Sequence, residues 1–530
     1  MKREKSKILM KQLCFFLFPF ASLFLNCQAE LKKEKLRSKP NIIYILADDL
    51  GYGDIGVYGQ KKIETPNLDE LASNGMIFTQ HYTGAPVCAP ARYMLLTGKH
   101  SGHSYIRGNY EWKERGNVWD YRAMIADSTL EGQFPIPTNS ILFPQLLQKE
   151  GYTTGMVGKW GLGAPHTNSI PTKMGFDFFY GYNCQRQAHT YFPVHLYKNE
   201  NRVYLNNDTI PPNTKLAKGA NPFDSKSYSS FKLNEYAPDL MFKEMISFIS
   251  ENKQNPFFLY WATPIPHNPL QAPQKWINYY KEKFGEEKPY LGQNGYFPHQ
   301  NPRAAYAAMI SYLDENIGKL IMYLKDKNLY DNTLILFSSD NGVTYSGGTD
   351  GEFFNSSAIF GESYGRGKGF VYEGGIRVPM IATWNKNIKP GSITNHISAH
   401  YDVMPTLLEL INYDNIPETD GISFLPTLTG KKEQDIHDFL YWEFPEYGGQ
   451  VAVRIGDWKV IRRNLKRSDE KATLELYNLS KDPEELNNVA NDHSDIIRIA
   501  SDIFDKEHIK SEIERFRINS IENGLLSSQQ

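Results

Sequence analysis

The chain has 530 residues, 41% hydrophobic and 22% charged, which excludes a small module, a fibre and a globally disordered chain. Its 58 Lys and Arg against 60 Asp and Glu leave a formal charge of -2, so the chain does not hold nucleic acid by bulk charge. An anionic substrate must instead meet a local basic cluster, and the 13% of aromatic residues serve a large core first and a carbohydrate-binding surface second.

At the N-terminus, Lys2, Arg3, Lys5, Lys7 and Lys11 precede an apolar run over residues 14–25 that is too short to span a bilayer comfortably. Cys27-Gln28-Ala29 offers a small-residue cleavage site, so residues 1–29 read as a signal peptide. The mature chain is expected in a periplasm or outside the cell. A lipoprotein anchored through Cys27 is the alternative, with Phe24 and Asn26 as poor flanks. Only Cys88 and Cys184 then remain, too few for a disulfide framework.

Residues 31–40 form a charged leader. From Asn41, apolar runs bounded by turn residues alternate with helical stretches, which predicts an α/β fold with a largely parallel sheet. Strands are expected over residues 42–47, 153–157, 257–262 and 333–338. A helix is expected over residues 65–74, with Thr65 as N-cap, Pro66 at its first position and Gly75 past its end. Residues 303–327 carry one apolar stripe at helical spacing. Residues 111–137 read as a long surface insertion, and residues 199–230 as a polar stretch with room for a small hairpin. Near residue 430 the pattern changes. Short strands at 439–444, 451–455, 458–462 and 474–479, then a helix over 495–516, predict a small antiparallel-sheet domain. The chain thus divides into residues 40–430 and 431–530.

In open α/β sheets, ligands collect beyond the carboxyl ends of the strands. The first predicted strand ends in Asp48 and Asp49, the fourth in Asp340 and Asn341, the second runs into Lys159, and the third leads to His267. Each alone is an ordinary cap, turn or loop residue. Their joint place at one sheet edge is what points to a site. Asp48, Asp49, Asp340 and Asn341 offer only oxygen donors, and the acidic groups would repel without a cation between them. A hard cation fits, Ca²⁺ by its permissive geometry with Mg²⁺ as the alternative; zinc would ask for more His or thiolate. Cys88-Ala89-Pro90-Ala91-Arg92 precedes an apolar helix over residues 93–97 closed by Gly98, which puts Cys88 at a positive helix end. Arg92 brings a guanidinium for oxyanion recognition. A buried cysteine before a core helix is the competing reading.

Cys88-Ala-Pro-Ala-Arg92, followed by Leu95-Leu96-Thr97-Gly98, resembles the C-x-P-x-R signature of type I sulfatases. Residues 41–53, 158–163, 264–273, 339–342 and 365–379 resemble further blocks of that family, in its order. The resemblance implies an alkaline-phosphatase-like mixed, largely parallel sheet flanked by helices, with a smaller C-terminal antiparallel-sheet domain. It implies that a separate maturation enzyme oxidises Cys88 to formylglycine, whose hydrated aldehyde is the nucleophile. The cation would be held by Asp48, Asp49, Asp340, Asn341 and the modified Cys88. Asp340 would act as base, Arg92 would hold the nucleophile, Lys159 and Lys368 the sulfate, and His267 would protonate the leaving alcohol. Glycines around Lys368 let the chain approach the anion closely, while Arg377 is expected to be structural, paired with Glu373. The implied substrate is a sulfate ester, expected to be that of a saccharide, with His189 and Arg107 as substrate-binding candidates. A phosphodiesterase or phosphonate monoester hydrolase and an inactive glycan-binding homologue are the alternatives. One departure stands out: many relatives read G-K-W-H-L-G where this chain reads Gly158-Lys159-Trp160-Gly161-Leu162-Gly163. Water, a substrate hydroxyl or a side chain from another loop can fill the gap, and His189 is the candidate side chain.

Overall fold

The structure, a computed structural model, describes residues 39–361, 363–431, 433–467 and 470–522; the expected signal peptide lies outside them. Eleven strands make the main sheet: β1 (Asn41–Ala47), β2 (Met76–Tyr82), β3 (Thr153–Lys159), β4 (Phe178–Tyr182), β5 (His195–Lys198), β6 (Asn201–Tyr204), β7 (Phe257–Ala262), β8 (Thr333–Ser339), β9 (Arg377–Thr383), β10 (Ser392–Thr394) and β11 (Ser398–Ala399). Their order is β10-β2-β9-β8-β1-β7-β3-β4-β5-β6, with β11 beside β2.

β1 explains the layering. All seven of its residues are buried, and alternate side chains enter opposite cores because successive residues of a strand face opposite sides. Ile43, Ile45 and Ala47 join the core under the helices Ala237–Asn252 and Pro302–Asp326. Ile42, Tyr44 and Leu46 join the core under the helices Cys88–Thr97, Phe143–Lys149 and Val403–Leu410. The four expected central strands all form, and the parallel register aligns their carboxyl ends. Ala47 pairs with Ser339 of β8, Leu46 with Ala262 of β7, and Ala262 with Gly158 of β3. The residues that follow therefore emerge along one edge.

Two antiparallel steps, β8 to β9 and β9 to β2, return β2 to the direction of β1. The segment leaving β2 thus enters the same edge as the segment feeding β9. A hairpin of β5 and β6 closes the far side, a few residues earlier than expected. The expected helix near residue 65 spans Pro66–Ser73, but Thr65 does not cap it. Its hydroxyl oxygen accepts from Gly56 N–H at 2.8 Å, and Asp314 takes the amides of Asn67 and Leu68 instead. The expected surface insertion at 111–137 is partly interior. It holds the helix Tyr121–Ala126, and it buries Glu131 against His195 and Tyr197.

A second sheet of β12 (Leu440–Phe444), β13 (Gln450–Ile455), β14 (Trp458–Arg463) and β15 (Thr473–Asn478) is antiparallel throughout. It shares a core with the first domain, where Leu440, Trp442 and Ile461 meet Tyr82, Val371 and Tyr401. The expected helix over 495–516 spans Ser494–Glu507, shorter than expected, and a last turn of helix forms at Asn519–Glu522. Extended chain follows Glu507 because Ile509 bonds Gly102 and Arg107 of the first domain through its N–H and carbonyl.

Candidate active site

Cys88 opens the helix Cys88–Thr97, with Val87 as N-cap and Gly98 ending it in the left-handed region at φ 69°. The expected order of Cys88, Pro90 and Gly98 is met, but the helix starts at Cys88 itself rather than at residue 93. Asn109 Oδ1 accepts from the adjacent Ala89 N–H at 3.1 Å. One turn on, Arg92 is fully engaged. Its Nε and Nη2 donate to Asp340 Oδ2 at 3.1 and 2.9 Å, and Nη1 donates to the Lys159 carbonyl at 2.6 Å. Nη2 also lies 3.2 Å from Asp48 Oδ2. Arg92 thus fixes two carboxylates and the end of β3.

The sheet edge delivers the rest. Lys159 Nζ donates to Asp48 Oδ2 at 2.7 Å, both side chains fully buried. Lys368 Nζ lies 2.8 Å from Asp49 Oδ2 and 3.6 Å from Cys88 Sγ, and Sγ is 3.4 Å from Asp48 Oδ1. His267 donates Nδ1–H to its neighbour's carbonyl, Asn268, at 2.6 Å. That bond sets the tautomer and turns Nε2 toward Asp49 Oδ2, 3.7 Å away. Asp340 Oδ1 accepts from Asp49 N–H at 3.2 Å. Arg377 pairs with Glu373 at 3.2 Å, the expected structural role.

Burial sets the charges. It pushes the Cys88 thiol well up, with Asp48 adding to the effect, so an unmodified thiolate is disfavoured. Burial and then Asp48 raise Asp340 to about 6. Burial works against Asp48 as well, yet Lys159, His267 and Arg92 hold its carboxyl well below the usual range.

The carboxylates of Asp48 and Asp49 suit a hard cation, with the Cys88 thiol and the His267 imidazole beside them. Asp48, Asp49, Cys88 and His267 each offer an atom within 4.8 Å of the others. Asn341 donates Nδ2–H to Asp49 Oδ1 at 2.8 Å, while its Oδ1 is buried with no hydrogen-bond partner. An orphaned carbonyl beside buried carboxylates is what an oxygen-seeking cation would satisfy.

The two expected substrate contacts lie in different surroundings. Arg107 is buried between the domains, its donors committed to Glu443 at 2.8 Å and to the carbonyls of Gly102, Ser104 and Ile509. Those bonds commit four of its five N–H groups to the protein itself. His189 joins the site by stacking on His267, ring centres 5.5 Å apart, but it does not fill the gap at Gly161. Gln185 does. A Cβ on Gly161 would meet Gln185 Cγ at 3.0 Å, and the Gln185 amide donates to Asn109 Oδ1 at 2.9 Å. Sequence reasoning missed Gln185, although it heads the stretch that contains His189. Tyr296 was also missed; its ring meets both His189 and His267 edge-on, from a loop with no motif to mark it.

A buried cysteine at a helix start, ringed by Arg92, Lys159, Lys368 and paired carboxylates, defines a hydrolase site for an anionic ester. Residues 40–413 match the family described as Sulfatase, and residues 361–511 match the one described as N-sulphoglucosamine sulphohydrolase, C-terminal. The chain is 31% identical over 417 residues to the N-acetylgalactosamine-6-sulfatase of Homo sapiens, covering 76% of this chain and 68% of that protein. The crystal structure of Ps i-CgsB in complex with k-i-k-neocarrahexaose superposes with a TM-score of 0.69 at 27% identity, covering 93% of this chain and 98% of that one. A structure from work on glycosaminoglycan metabolism by Bacteroides thetaiotaomicron gives 0.65 at 26% identity, covering 88% and 99%. This chain belongs to the type I sulfatase family and is a sulfuric ester hydrolase with the alkaline-phosphatase-like fold.

Proposed function

We propose that the chain hydrolyses sulfate esters of a saccharide, using a formylglycine made from Cys88 by a separate maturation enzyme and a bound divalent cation, Ca²⁺ ahead of Mg²⁺. The observation that carries this reading is the convergence of Lys368, Lys159 and Arg92 with three buried aspartates around position 88. The saccharide class rests on the relatives: one is named for N-acetylgalactosamine 6-sulfate, another was crystallised with a neocarrahexaose. Export to the periplasm or beyond the cell is part of the proposal and rests on the first 29 residues.

When present, the hydrated aldehyde supplies an oxygen nucleophile and a way to release sulfate, and the cation supplies Lewis acidity. The chain's own residues do the rest. Asp48, Asp49, Asp340 and Asn341, with the modified Cys88, would hold the cation. Lys368, 3.6 Å from Cys88 Sγ, and Lys159, held by Asp48, place fixed positive charge where the sulfate oxygens gather charge. Arg92 locks Asp340 from two nitrogens, so this carboxylate is held rigidly to take the nucleophile's proton. His267, its Nδ1–H held by the Asn268 carbonyl and its ring kept neutral by burial and then Lys368, presents the lone pair of Nε2, which would take up a proton from solvent before passing it to the leaving oxygen.

The test is desulfation of defined sulfated sugars, with an aryl phosphodiester in parallel, using enzyme co-produced with a maturation enzyme. Trypsin should release residues 63–92 as one peptide bearing the aldehyde by mass spectrometry. Full activity with unmodified cysteine, or after exhaustive chelation with no metal detected, refutes the mechanism. Faster phosphodiester cleavage refutes the substrate class.

A further inference from the structure

The turn between β12 and β13 reaches into the active-site mouth from the second domain. Glu446 Oε2 accepts from Asn109 N–H at 3.0 Å, and Asn109 holds the amide next to Cys88. The next residue, Tyr447, adopts a left-handed backbone at φ 50°, followed by Gly448 at 92° and Gly449 at 76°. Two glycines tolerate this conformation; a tyrosine is strained by it. Such a residue persists where its side chain is needed in one place.

That place is beside Lys368. The Tyr447 ring lies 3.0 Å from where a Cβ on Gly369 would stand, so only a glycine there leaves room for the ring beside the backbone that carries Lys368. Phe444 stacks beneath Tyr447 with ring centres 5.9 Å apart at 27°, and Phe370 meets it edge-on at 5.6 Å. One side of Tyr447 is thus packed, yet the residue is 49% exposed. Tyr364, 78% exposed, extends the ledge edge-on to Phe370. Buried Phe444 and half-buried Phe370 support the ring, and about half of Tyr447 stays exposed next to the Gly369 backbone that follows Lys368.

We propose that Tyr447 is the floor of a saccharide subsite, stacking against the C–H face of the pyranose ring whose sulfate ester is cleaved. The proposal rests on the sulfatase reading above and deepens it. A pyranose has an apolar face of polarised C–H groups that complements the negative face of an aromatic ring. Inorganic sulfate has no such face and reaches only the cationic pocket. The second domain therefore contributes to substrate choice through one side chain, while the first domain supplies the chemistry.

The test uses full-length matured enzyme and its Tyr447→Ala, Tyr447→Phe and Tyr447→Trp variants. Inhibition is measured with two probes, the desulfated sugar product and inorganic sulfate, alongside KM and kcat for the sulfated sugar. Tyr447→Ala should raise KM and weaken inhibition by the free sugar about tenfold, with inhibition by inorganic sulfate and kcat near wild type. Phe and Trp should restore sugar binding. Wild-type sugar binding by Tyr447→Ala overturns the proposal. So does equal loss of sugar and sulfate inhibition, which would make Tyr447 a support for Lys368. Wild-type enzyme that hydrolyses no sulfate ester overturns the underlying reading and the subsite with it.

Discussion

Replacing Gly161 with His inserts the side chain that the G-K-W-H-L-G pattern would place there, and the structure says it should do harm here. Gly161 sits at φ 71°, where a residue with a Cβ costs about 1–2 kcal/mol. The new Cβ would meet Gln185 Cγ at 3.0 Å and Cδ at 3.6 Å, so the amide must move. Moving it gives up the 2.9 Å bond to Asn109, worth about 1 kcal/mol. Gly161→His should therefore lose about 2–3 kcal/mol of unfolding free energy in urea titrations. Turnover should fall too, because Asn109 also holds the amide after Cys88. Gln185→Ala removes the obstacle but not the backbone strain. The double variant should then be more stable than the sum of the singles by about 1 kcal/mol, the range seen for residues in contact. A Gly161→His enzyme within about 0.5 kcal/mol of wild type, or strictly additive singles, would refute the reasoning.

Three further outcomes follow from named contacts. Lys459 is fully buried between Glu373 and Glu485, 2.9 Å from each, so Lys459→Met strips Glu485 of its ion pair and leaves Glu373 to Arg377 and Tyr82 alone. It should cost about 3–5 kcal/mol by chemical denaturation, and a loss below about 1 kcal/mol would remove the triad from the domain interface's energetics. His189→Ala strips the ring stacked on His267 and should lower turnover of the sulfated sugar by about tenfold, ~1.4 kcal/mol, with stability little changed; unchanged rates count against any role for the stack. Burial opposes charge on His437, but Asp402, 2.8 Å away, outweighs it and raises the imidazole above its ordinary value. That contribution is complete below about pH 6.5 and is lost as pH rises through the raised value. Unfolding midpoints should drop over that window, and His437→Gln should flatten the drop.

Much of the site was legible because it is written locally. The strand runs at residues 42–47, 153–157, 257–262 and 333–338 declare themselves by apolar residues between turn signals, and each carries its polar residue at or near its end. Parallel pairing then aligns those ends whatever the rest of the chain does, so Asp48, Lys159, His267 and Asp340 had to share an edge. The Cys88 motif is likewise contained within one helix. Other features depended on residues far apart in sequence. Thr65 looked like a cap but bonds Gly56, because Asp314 on a distant helix already supplies the cap. Residues 508–516 kept helical spacing, yet the helix stops at Glu507 because Gly102 and Arg107 claim the backbone of Ile509. Arg107 resembles a ligand-binding arginine until Glu443 of the second sheet is placed against it. Gln185 against Gly161 and Tyr447 against Gly369 are contacts across long loops, each fixed by a few ångströms of packing. The strand pattern of a sequence is set by nearest neighbours, whereas which side chain occupies a space is set by whatever the whole fold brings there.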